Sequence, residues 1–374
     1  MSINNLKLQA SKYKDTRQDV ACIPDMICWG EGRLLLWRKK DYFYVEELSD
    51  MKYYRLGNSG LEVSAMGLGT NSFGKRADQP TSLRIMDEAL DKGINFIDTA
   101  NIYAGTESER IIGQALAGRR HQVVLATKAG LVKGEGPNQR GSSRYHLQHE
   151  LEESLMRLNT DYIDLYQIHT FDPHTPLEET LRTLDDMVRA GKVRYIGASN
   201  YAAWELMKAL GISELKGLNR FVSLQISYSL ADRTPEQEMV PLCLDQGVGI
   251  IPYYPLAGGI LSGKYSLTAK IPAHSRADKD PSFNRFINER TVTLGDQVSE
   301  LAAAHGYTPS SLALAWLMHQ PAVSTVIVGA TRADQLKENL RSVEIELDAT
   351  LAEEIDRISQ SSRYSEPFAT YRLP

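Results

Sequence analysis

The sequence predicts an α/β protein, a (β/α)8 TIM barrel with a short N-terminal hairpin and an irregular N-terminal extension. From about Leu61 onward, short β-branched or apolar runs alternate with longer segments of helical period, which is typical of βαβ units around a parallel sheet. Polar residues stand at the ends of successive runs, where a barrel of this class carries its active site. The eight predicted strands are residues 65–69, 95–98, 123–128, 163–169, 193–198, 222–226, 249–253 and 324–328.

Start and stop signals between these strands predict the intervening helices. Three pairs have the spacing of a capping box, in which a hydroxyl binds the N3 amide and the N3 side chain reaches back: Thr106 with Glu109, Thr175 with Glu178, and Thr234 with Gln237. Prolines are expected at the first helical position at Pro176, Pro235 and Pro309. Glycines that end helices in the left-handed conformation are expected at Gly93, Gly118, Gly191, Gly247 and Gly306.

An open doubly wound sheet is the structural alternative to the barrel. Its phosphate-binding loop carries three glycines, in the pattern G-x-G-x-x-G, directly after the first strand. Here Gly67 and Gly69 supply only the first two of them. The missing third glycine favours the barrel.

Residues 1–50 differ from the rest of the chain. They include an aromatic run at 42–44 but show no repeating period. We expect either a loosely ordered extension of the barrel domain, residues 51–374, or an over-called start codon with Met51 as the true start. Residues 57–60, Gly-Asn-Ser-Gly, predict a hairpin turn between short strands that would close the bottom of the barrel.

Composition and charge exclude several classes of function. The formal net charge is -5 and the isoelectric point is about 6.0, without a long basic run, so no nucleic-acid partner is expected. Three cysteines, Cys22, Cys28 and Cys243, offer neither a disulfide framework nor a metal-binding cluster. No run approaches the roughly 18 to 20 apolar residues of a membrane span, and the polar N-terminus lacks the apolar core of a signal peptide. We therefore expect a cytoplasmic protein without a metal site or a membrane partner.

The predicted strand ends carry a group suited to carbonyl chemistry. Asp98, Lys128 and His169 end the second, third and fourth predicted strands. Reduction of a carbonyl needs a hydride donor and an acid that protonates the developing alkoxide. A tyrosine can be this acid, but its ordinary pKa near 10 makes it too weak unless a buried cation stands beside it. Lys128 can be that cation, with Asp98 as its counter-charge. A single Asp, Lys or His at a strand end is more often a hydrogen-bonded or solvated side chain without a catalytic role. Several of them at consecutive strand ends favour a catalytic site.

Several dispersed motifs resemble those of the aldo-keto reductases, in order over roughly residues 53–360. They are Asn-Phe-Ile-Asp-Thr-Ala-Asn-Ile-Tyr at 95–103, Glu-Ser-Glu at 107–109, Thr-Lys at 127–128, Asp-Leu-Tyr-Gln-Ile-His at 164–169 and Ile-Gly-Ala-Ser-Asn at 196–200. The resemblance implies that Tyr103 is the general acid. It further implies that Lys128 and Asp98 tune this acid and that His169 positions the carbonyl.

The same resemblance implies a nicotinamide cofactor. Ser199, Asn200 and Gln225 are expected to hold its carboxamide, and the ring of Tyr253 is expected to stack on the nicotinamide. A structural role remains the alternative for Tyr253, which can fill the core beside Tyr254.

The phosphate and adenosine half of the cofactor is expected against later loops. Lys264 and Arg276 are similar to the basic pair that favours NADPH over NADH in the branch containing potassium-channel β subunits, although both can also be solvated loop charges. Many monomeric members carry a Lys-Ser pair where this sequence has Gly329 and Ala330. Residues 256–290 resemble a lid over the cofactor. The other positions expected to contact this half are Leu256, Gly258, Gly329, Thr331, Gln335, Glu338 and Asn339.

The expected function is hydride transfer from NADPH to an aldehyde or ketone, which makes a small-molecule carbonyl the expected partner. A nicotinamide-binding regulatory subunit with little turnover is the alternative from a different class. An enzyme that runs oxidation or a redox-neutral isomerisation at the same site is a nearer alternative. The sequence leaves the formation of an oligomer open.

Overall fold

The computed structural model describes residues 34–39, 42–47, 51–273, 275–365 and 372–373. The chain divides into two compact units, Met1–Asp50 and Met51–Pro374. Cys22 and Cys28 lie outside the described residues. None of the helices within the described ranges is long and apolar enough to cross a lipid bilayer.

In the first unit, two strands form an antiparallel pair. Strand β1 (Leu34–Lys39) pairs with β2 (Tyr42–Glu47). The sequence predicts an irregular extension there, because residues 1–50 show no repeating period, and this antiparallel pair is a correction to that prediction. The interpretation of residues 1–50 as an extension separate from the barrel domain stays a prediction.

The second unit begins with a hairpin and continues into an eight-stranded parallel sheet. Strand β3 (Tyr53–Arg55) pairs antiparallel with β4 (Glu62–Ser64), so the predicted hairpin is confirmed. The parallel strands are β5 (Met66–Gly69), β6 (Phe96–Asp98), β7 (Val124–Ala129), β8 (Ile163–Ile168), β9 (Val193–Ser199), β10 (Ser223–Ser227), β11 (Gly249–Tyr253) and β12 (Val326–Gly329).

The order of the parallel strands confirms the predicted barrel. Strands β5 to β11 are neighbours in chain order, and β12 returns to pair with β5. A parallel bridge between Ile250 and Val323 joins β11 to the segment before β12. This bridge lies between the two ends of the ladder, so the sheet is a nearly closed barrel and not the open sheet of a doubly wound fold.

Helices separate most of the barrel strands along the chain. In the helix 177–189, for example, Leu177, Leu181 and Leu184 recur at helical spacing and are buried in the main apolar core. The helices are α1 (Gln79–Asp91), α2 (Glu107–Ala115), α3 (Arg144–Leu158), α4 (Leu177–Arg189), α5 (Ala203–Lys216), α6 (Met239–Gln246), α7 (Arg276–Lys279), α8 (Glu289–Ala304), α9 (Pro309–Met318), α10 (Ala333–Leu340) and α11 (Ala349–Ser359).

The helix-end glycines are confirmed, because all five have positive φ. The three predicted capping boxes are wrong. The Thr106 hydroxyl makes no cap hydrogen bond, and the carboxylate of its expected partner Glu109 is buried against Arg157, with a 2.6 Å ion pair.

The other two capping threonines also bind partners outside the predicted boxes. Thr175 and Thr234 donate at 2.6 Å to the carboxylates of Asp172 and Asp232. Pro309 opens α9 as predicted, whereas Pro176 stands one residue before α4. Nearby carboxylates thus outcompete the local cap.

The β3–β4 hairpin closes the N-terminal end of the barrel. Leu56 is fully buried in a cluster with Phe96, Leu165 and Ile251, whose side chains come from three barrel strands. The backbone of the hairpin turn also bonds to the barrel, since the amide of Gly57 donates to the Ser324 hydroxyl at 3.2 Å. The predicted plug at the bottom of the barrel is therefore present.

Gly57 is expected to be essential for this closure. Its φ is +56°, and a Cβ atom there would lie 2.5 to 2.7 Å from backbone atoms of Gly247, Gly249 and Val222. We predict that Gly57→Ala lowers the free energy of unfolding by about 2 kcal/mol or more, measured by urea denaturation. Gly60→Ala is the matched control, because no heavy atom lies within 4 Å of a Cβ at Gly60. Equal effects of the two substitutions would contradict this account of the plug.

Candidate active site

Five polar side chains meet inside the C-terminal end of the barrel. They come from four strands and the residue after one of them, and all are buried: Asp98 on β6, Lys128 on β7, Gln167 on β8, His169 directly after β8, and Gln225 on β10. The carboxyl ends of parallel barrel strands share one face, so side chains distant in sequence converge there.

Lys128 is the centre of this group. Its side chain is 0% exposed, and its Nζ donates to Asp98 Oδ2 at 2.7 Å, to the carbonyl of Thr99 at 2.7 Å and to the Tyr103 hydroxyl at 3.5 Å. Burial lowers the pKa of Lys128, and the carboxylates of Asp98 and Glu109 oppose that shift. All three ammonium protons therefore have acceptors, as a buried cation requires.

The second oxygen of the Asp98 carboxylate binds two amides. Gln225 Nε2 donates to Asp98 Oδ1 at 2.8 Å, and Gln167 Nε2 donates to the same atom at 3.2 Å. Gln225 was expected to face the nicotinamide carboxamide. Because its nitrogen is directed to Asp98, its Oε1 is the atom that can accept a hydrogen bond from such a group.

Gln167 is a residue of the site that sequence reasoning missed. It stands two positions before His169, and the two-residue repeat of a strand places such positions on the same face of the barrel wall. That spacing was the available signal.

Tyr103 lies on the loop after β6 and faces both Lys128 and His169. Lys128 Nζ is 5.1 Å from the centroid of the Tyr103 ring, and the rings of Tyr103 and His169 meet edge to face with centroids 6.0 Å apart. The three residues after Tyr103 all have positive φ: Ala104 at 50°, Gly105 at 63° and Thr106 at 85°. Such a run is strained for the two non-glycine residues, and the bend that it makes follows directly after the tyrosine.

The electrostatics of Tyr103 differ from the expectation that Lys128 makes it a stronger acid. Burial raises the pKa of Tyr103 well above 10, and the negative charge of Asp98 adds to the rise. The phenol is therefore fully protonated at neutral pH.

His169 is held in its neutral form. Burial lowers the pKa of His169 well below 6.5, and the nearby Lys128 cation lowers it further. Its Nδ1 is buried without a hydrogen-bond partner, while its backbone carbonyl accepts from Asn200 Nδ2 at 2.9 Å. A neutral imidazole retains one ring N–H that can donate a hydrogen bond.

The four residues expected to contact the nicotinamide form one hydrogen-bonded group. Asn200, at φ 56°, donates from Nδ2 to the Ser199 hydroxyl at 3.0 Å and accepts from the Tyr253 hydroxyl at 2.7 Å. The Ser199 hydroxyl donates to the carbonyl of Gln225 at 2.9 Å. The structure thus brings the ends of β9, β10 and β11 together as expected.

The two cations expected at the cofactor phosphates have different surroundings. Lys264 Nζ is 5.4 Å from the ring centroid of Tyr265. The guanidinium of Arg276 is 4.5 Å from the ring centroid of Tyr254 and donates to the hydroxyl of that tyrosine.

The positions expected at the adenosine lie together after the last barrel strand. Gly329 ends β12, and the Thr331 backbone amide and hydroxyl both donate to Gln335 Oε1 at 2.9 Å. Asn339 is buried on α10 and Glu338 is exposed beside it.

Two further expected positions lie at the start of the lid. Leu256 is partly buried, and a Cβ on Gly258 would meet the ring of Phe283 at 2.1 Å. Side chains that could bind a metal ion do not cluster anywhere in the described part of the chain.

Comparison with known proteins identifies the family. The model of the aldo/keto reductase family matches residues 65–360. The chain is 42% identical to the uncharacterized oxidoreductase YrpG of Bacillus subtilis, over 80% of this chain and 93% of that protein. It is 35% identical to versiconal hemiacetal acetate reductase of Aspergillus parasiticus, over 79% of this chain and 94% of that protein. It is also 35% identical to a probable voltage-gated potassium channel subunit beta of Arabidopsis thaliana, over 83% of this chain and 97% of that protein. The chain therefore belongs to the aldo/keto reductase family, a family of oxidoreductases.

The buried neutral His169 predicts a specific loss of stability in acid. The unfolded chain binds a proton at His169 near pH 6.5 and the folded chain does not, so stability is lost as pH falls below about 6.5. We expect that this residue contributes about 1.4 kcal/mol per pH unit to the loss between pH 6 and 5. Urea denaturation at both pH values should show that the free energy of unfolding falls less between pH 6 and 5 in His169→Gln than in the wild type. His149→Gln, at an exposed position on α3, should keep the wild-type slope, and an unchanged slope in His169→Gln would refute the assignment.

Proposed function

We propose that the protein is an NADPH-dependent carbonyl reductase that converts an aldehyde or ketone to an alcohol, with Tyr103 as the proton donor. The observation that carries the proposal is the contact of the buried Lys128 ammonium with both the Asp98 carboxylate and the Tyr103 hydroxyl. This contact couples a proton donor to a fixed positive charge at the face where barrel enzymes act.

The roles of the four side chains follow from their charges. Neutral His169 donates a hydrogen bond to the carbonyl oxygen of the substrate and orients it toward Tyr103. Tyr103 stays protonated until negative charge develops on that oxygen, and an alkoxide is a stronger base than a phenolate. The phenol proton then moves to the alkoxide oxygen, and Lys128 stabilises the tyrosinate that remains. Asp98 keeps Lys128 protonated.

The donor and acceptor set suits a nicotinamide dinucleotide, which supplies the hydride when it is bound. Gln225 Oε1 and the Ser199–Asn200 pair offer hydrogen bonds to a carboxamide, and Tyr253 offers an aromatic face beside them. The buried Nε of Arg276 has no hydrogen-bond partner, as is expected of a group that awaits an anionic ligand. Arg276 and Lys264 are the cations that support a cofactor with an additional phosphate, NADPH.

A regulatory nicotinamide-binding subunit is the second candidate, because a relative that matches over most of both chains is named as a potassium channel subunit. The two functions differ in turnover. Repeated consumption of NADPH with a generic aldehyde supports the reductase, and a single slow oxidation of bound NADPH supports the regulatory subunit.

Removal of the Tyr103 hydroxyl tests the proton donor. We predict that Tyr103→Phe lowers kcat for aldehyde reduction at least about 100-fold, because general-acid catalysis is lost, while the Kd for NADPH changes less than about threefold. Steady-state kinetics and NADPH fluorescence titration measure the two quantities. Tyr145→Phe is the control, since Tyr145 is 70% exposed on α3 and should behave as wild type. Substantial turnover by Tyr103→Phe would assign the proton transfer to another group.

Removal of the Asp98 charge tests the role of the ion pair. Reduction requires a protonated Lys128, and Asp98 raises the pKa of Lys128, so Asp98→Asn should move the alkaline decline of kcat/KM to lower pH by about one unit or more. Tyr103 contributes no decline below pH 10, because its pKa is raised above that value. The pH profile of Asp186→Asn, at an exposed carboxylate, provides the control. An unchanged alkaline limb in Asp98→Asn would contradict the proposed coupling.

A further inference from the structure

The outward face of helix α5 carries exposed apolar side chains. Trp204 is 61% exposed, Met207 39% and Leu215 80%. On the adjacent helix α4, by contrast, the exposed positions are all charged: Arg182, Asp186 and Arg189. Apolar side chains that are grouped on the solvent side of one helix are typical of an interaction surface.

Gly211 lies at the centre of this face. Trp204 lies seven positions before it, Met207 four before it and Leu215 four after it, and residues at these spacings share one side of a helix. A Cβ atom at Gly211 would have no heavy atom within 4 Å, so packing within the barrel does not require a glycine there. Glycine inside a helix is less favourable than alanine, but it allows another backbone to approach closely. The face therefore suits contact with a second helix.

The charged residues on the two sides of Gly211 complement each other. Lys208 lies three positions before Gly211 and Glu214 lies three positions after it. Both are exposed, and neither forms an ion pair with any residue that the structure describes. When two identical antiparallel helices are related by a two-fold axis through Gly211, each residue faces the one that is equally far on the other side of Gly211 in the second copy. Lys208 then faces Glu214 of the second copy, and Met207 faces Leu215 of the second copy.

We propose that this face of α5 is a dimer interface, in which two copies of the chain pair antiparallel through the helix, centred on Gly211. Such an interface is isologous, so the ion pair between Lys208 and Glu214 forms twice. The apolar side chains form the buried centre, and the opposite charges fix the register. A partner with a uniformly acidic or basic surface would meet a like charge at Glu214 or at Lys208, whereas a second copy meets neither.

The interface lies beside the mouth of the barrel. Trp204 is near the N-terminus of α5, and its ring meets that of Phe171 at a centroid distance of 5.8 Å. Phe171 follows His169 by two residues. A second copy packed on α5 therefore covers the exposed side of Trp204 at the edge of the candidate active site.

Charge exchange tests the pairing, by sedimentation equilibrium of the full chain between about 1 and 100 μM. The wild type should have the mass of two 41.8 kDa chains. Lys208→Glu and Glu214→Lys each place like charges opposite one another, so each should raise the dimer Kd at least about tenfold. An equimolar mixture of the two variants should recover the wild-type Kd to within about threefold, because every contact then joins opposite charges. The double variant Lys208→Glu, Glu214→Lys should recover it as well.

The control and the contrary outcomes do not depend on the proposed function, because mass alone is measured. Glu300→Lys makes the same charge change at an exposed position on α8 and should keep the dimer Kd within about twofold of wild type. Recovery on mixing excludes misfolding as the cause of dissociation. A wild type that stays monomeric throughout would overturn the inference and leave the face to a segment of the same chain or to a different protein. A dimer that neither α5 variant weakens, or a loss that mixing does not restore, would overturn it equally.

Discussion

The buried ion pair between Lys128 and Asp98 is the interaction on which the rest of the site depends. A single carboxylate from β6 binds the ammonium of β7 and the amides of Gln167 on β8 and Gln225 on β10. Removal of one partner of such a pair typically costs about 3 to 5 kcal/mol, because an uncompensated charge is left in a medium of low dielectric. The same contacts therefore hold four strand ends in register and fix the charge beside Tyr103.

The loop that carries Tyr103 shows how strain and reactivity are combined. Ala104 and Thr106 are not glycines, yet both have left-handed φ values, at 50° and 85°. Residues in such conformations cost of order 1 to 3 kcal/mol each and persist only where the surrounding contacts outweigh the strain. Here the buried Thr99, Ser108 and Thr70 hydroxyls are linked at 3.0 Å and anchor both sides of the loop. The tyrosine is thus held over the ammonium instead of turning to solvent.

Much of the fold follows from the sequence because the barrel repeats one simple unit. Short apolar runs, polar strand ends and helix-ending glycines are local signals, and they specified all eight barrel strands to within two residues. The convergence of Asp98, Lys128 and His169 could be predicted for the same reason, because each ends a strand of a closed parallel sheet.

The errors come from side-chain contacts and burial that the local pattern does not show. Glu109 has the spacing of a capping residue, but the buried guanidinium of Arg157 binds its carboxylate more favourably than a helix terminus does. The pKa of Tyr103 rises because of burial and the negative charge of Asp98, and the extent of burial cannot be read from a motif. Gln167 was overlooked because it belongs to no recognised pattern, and only the three-dimensional arrangement reveals its neighbours.

The central claim is that the Lys128 charge, neutralised by Asp98, makes proton transfer from Tyr103 possible. Its most direct test is the rate of hydride transfer in a single turnover, followed by stopped-flow NADPH fluorescence in Lys128→Met. The double variant Lys128→Met, Asp98→Asn is the companion, because it leaves no unpaired buried charge and so controls for misfolding. The account predicts that both variants bind NADPH within about threefold of wild type and lose at least about 1000-fold in the rate. A rate within about tenfold of wild type in either variant would contradict it.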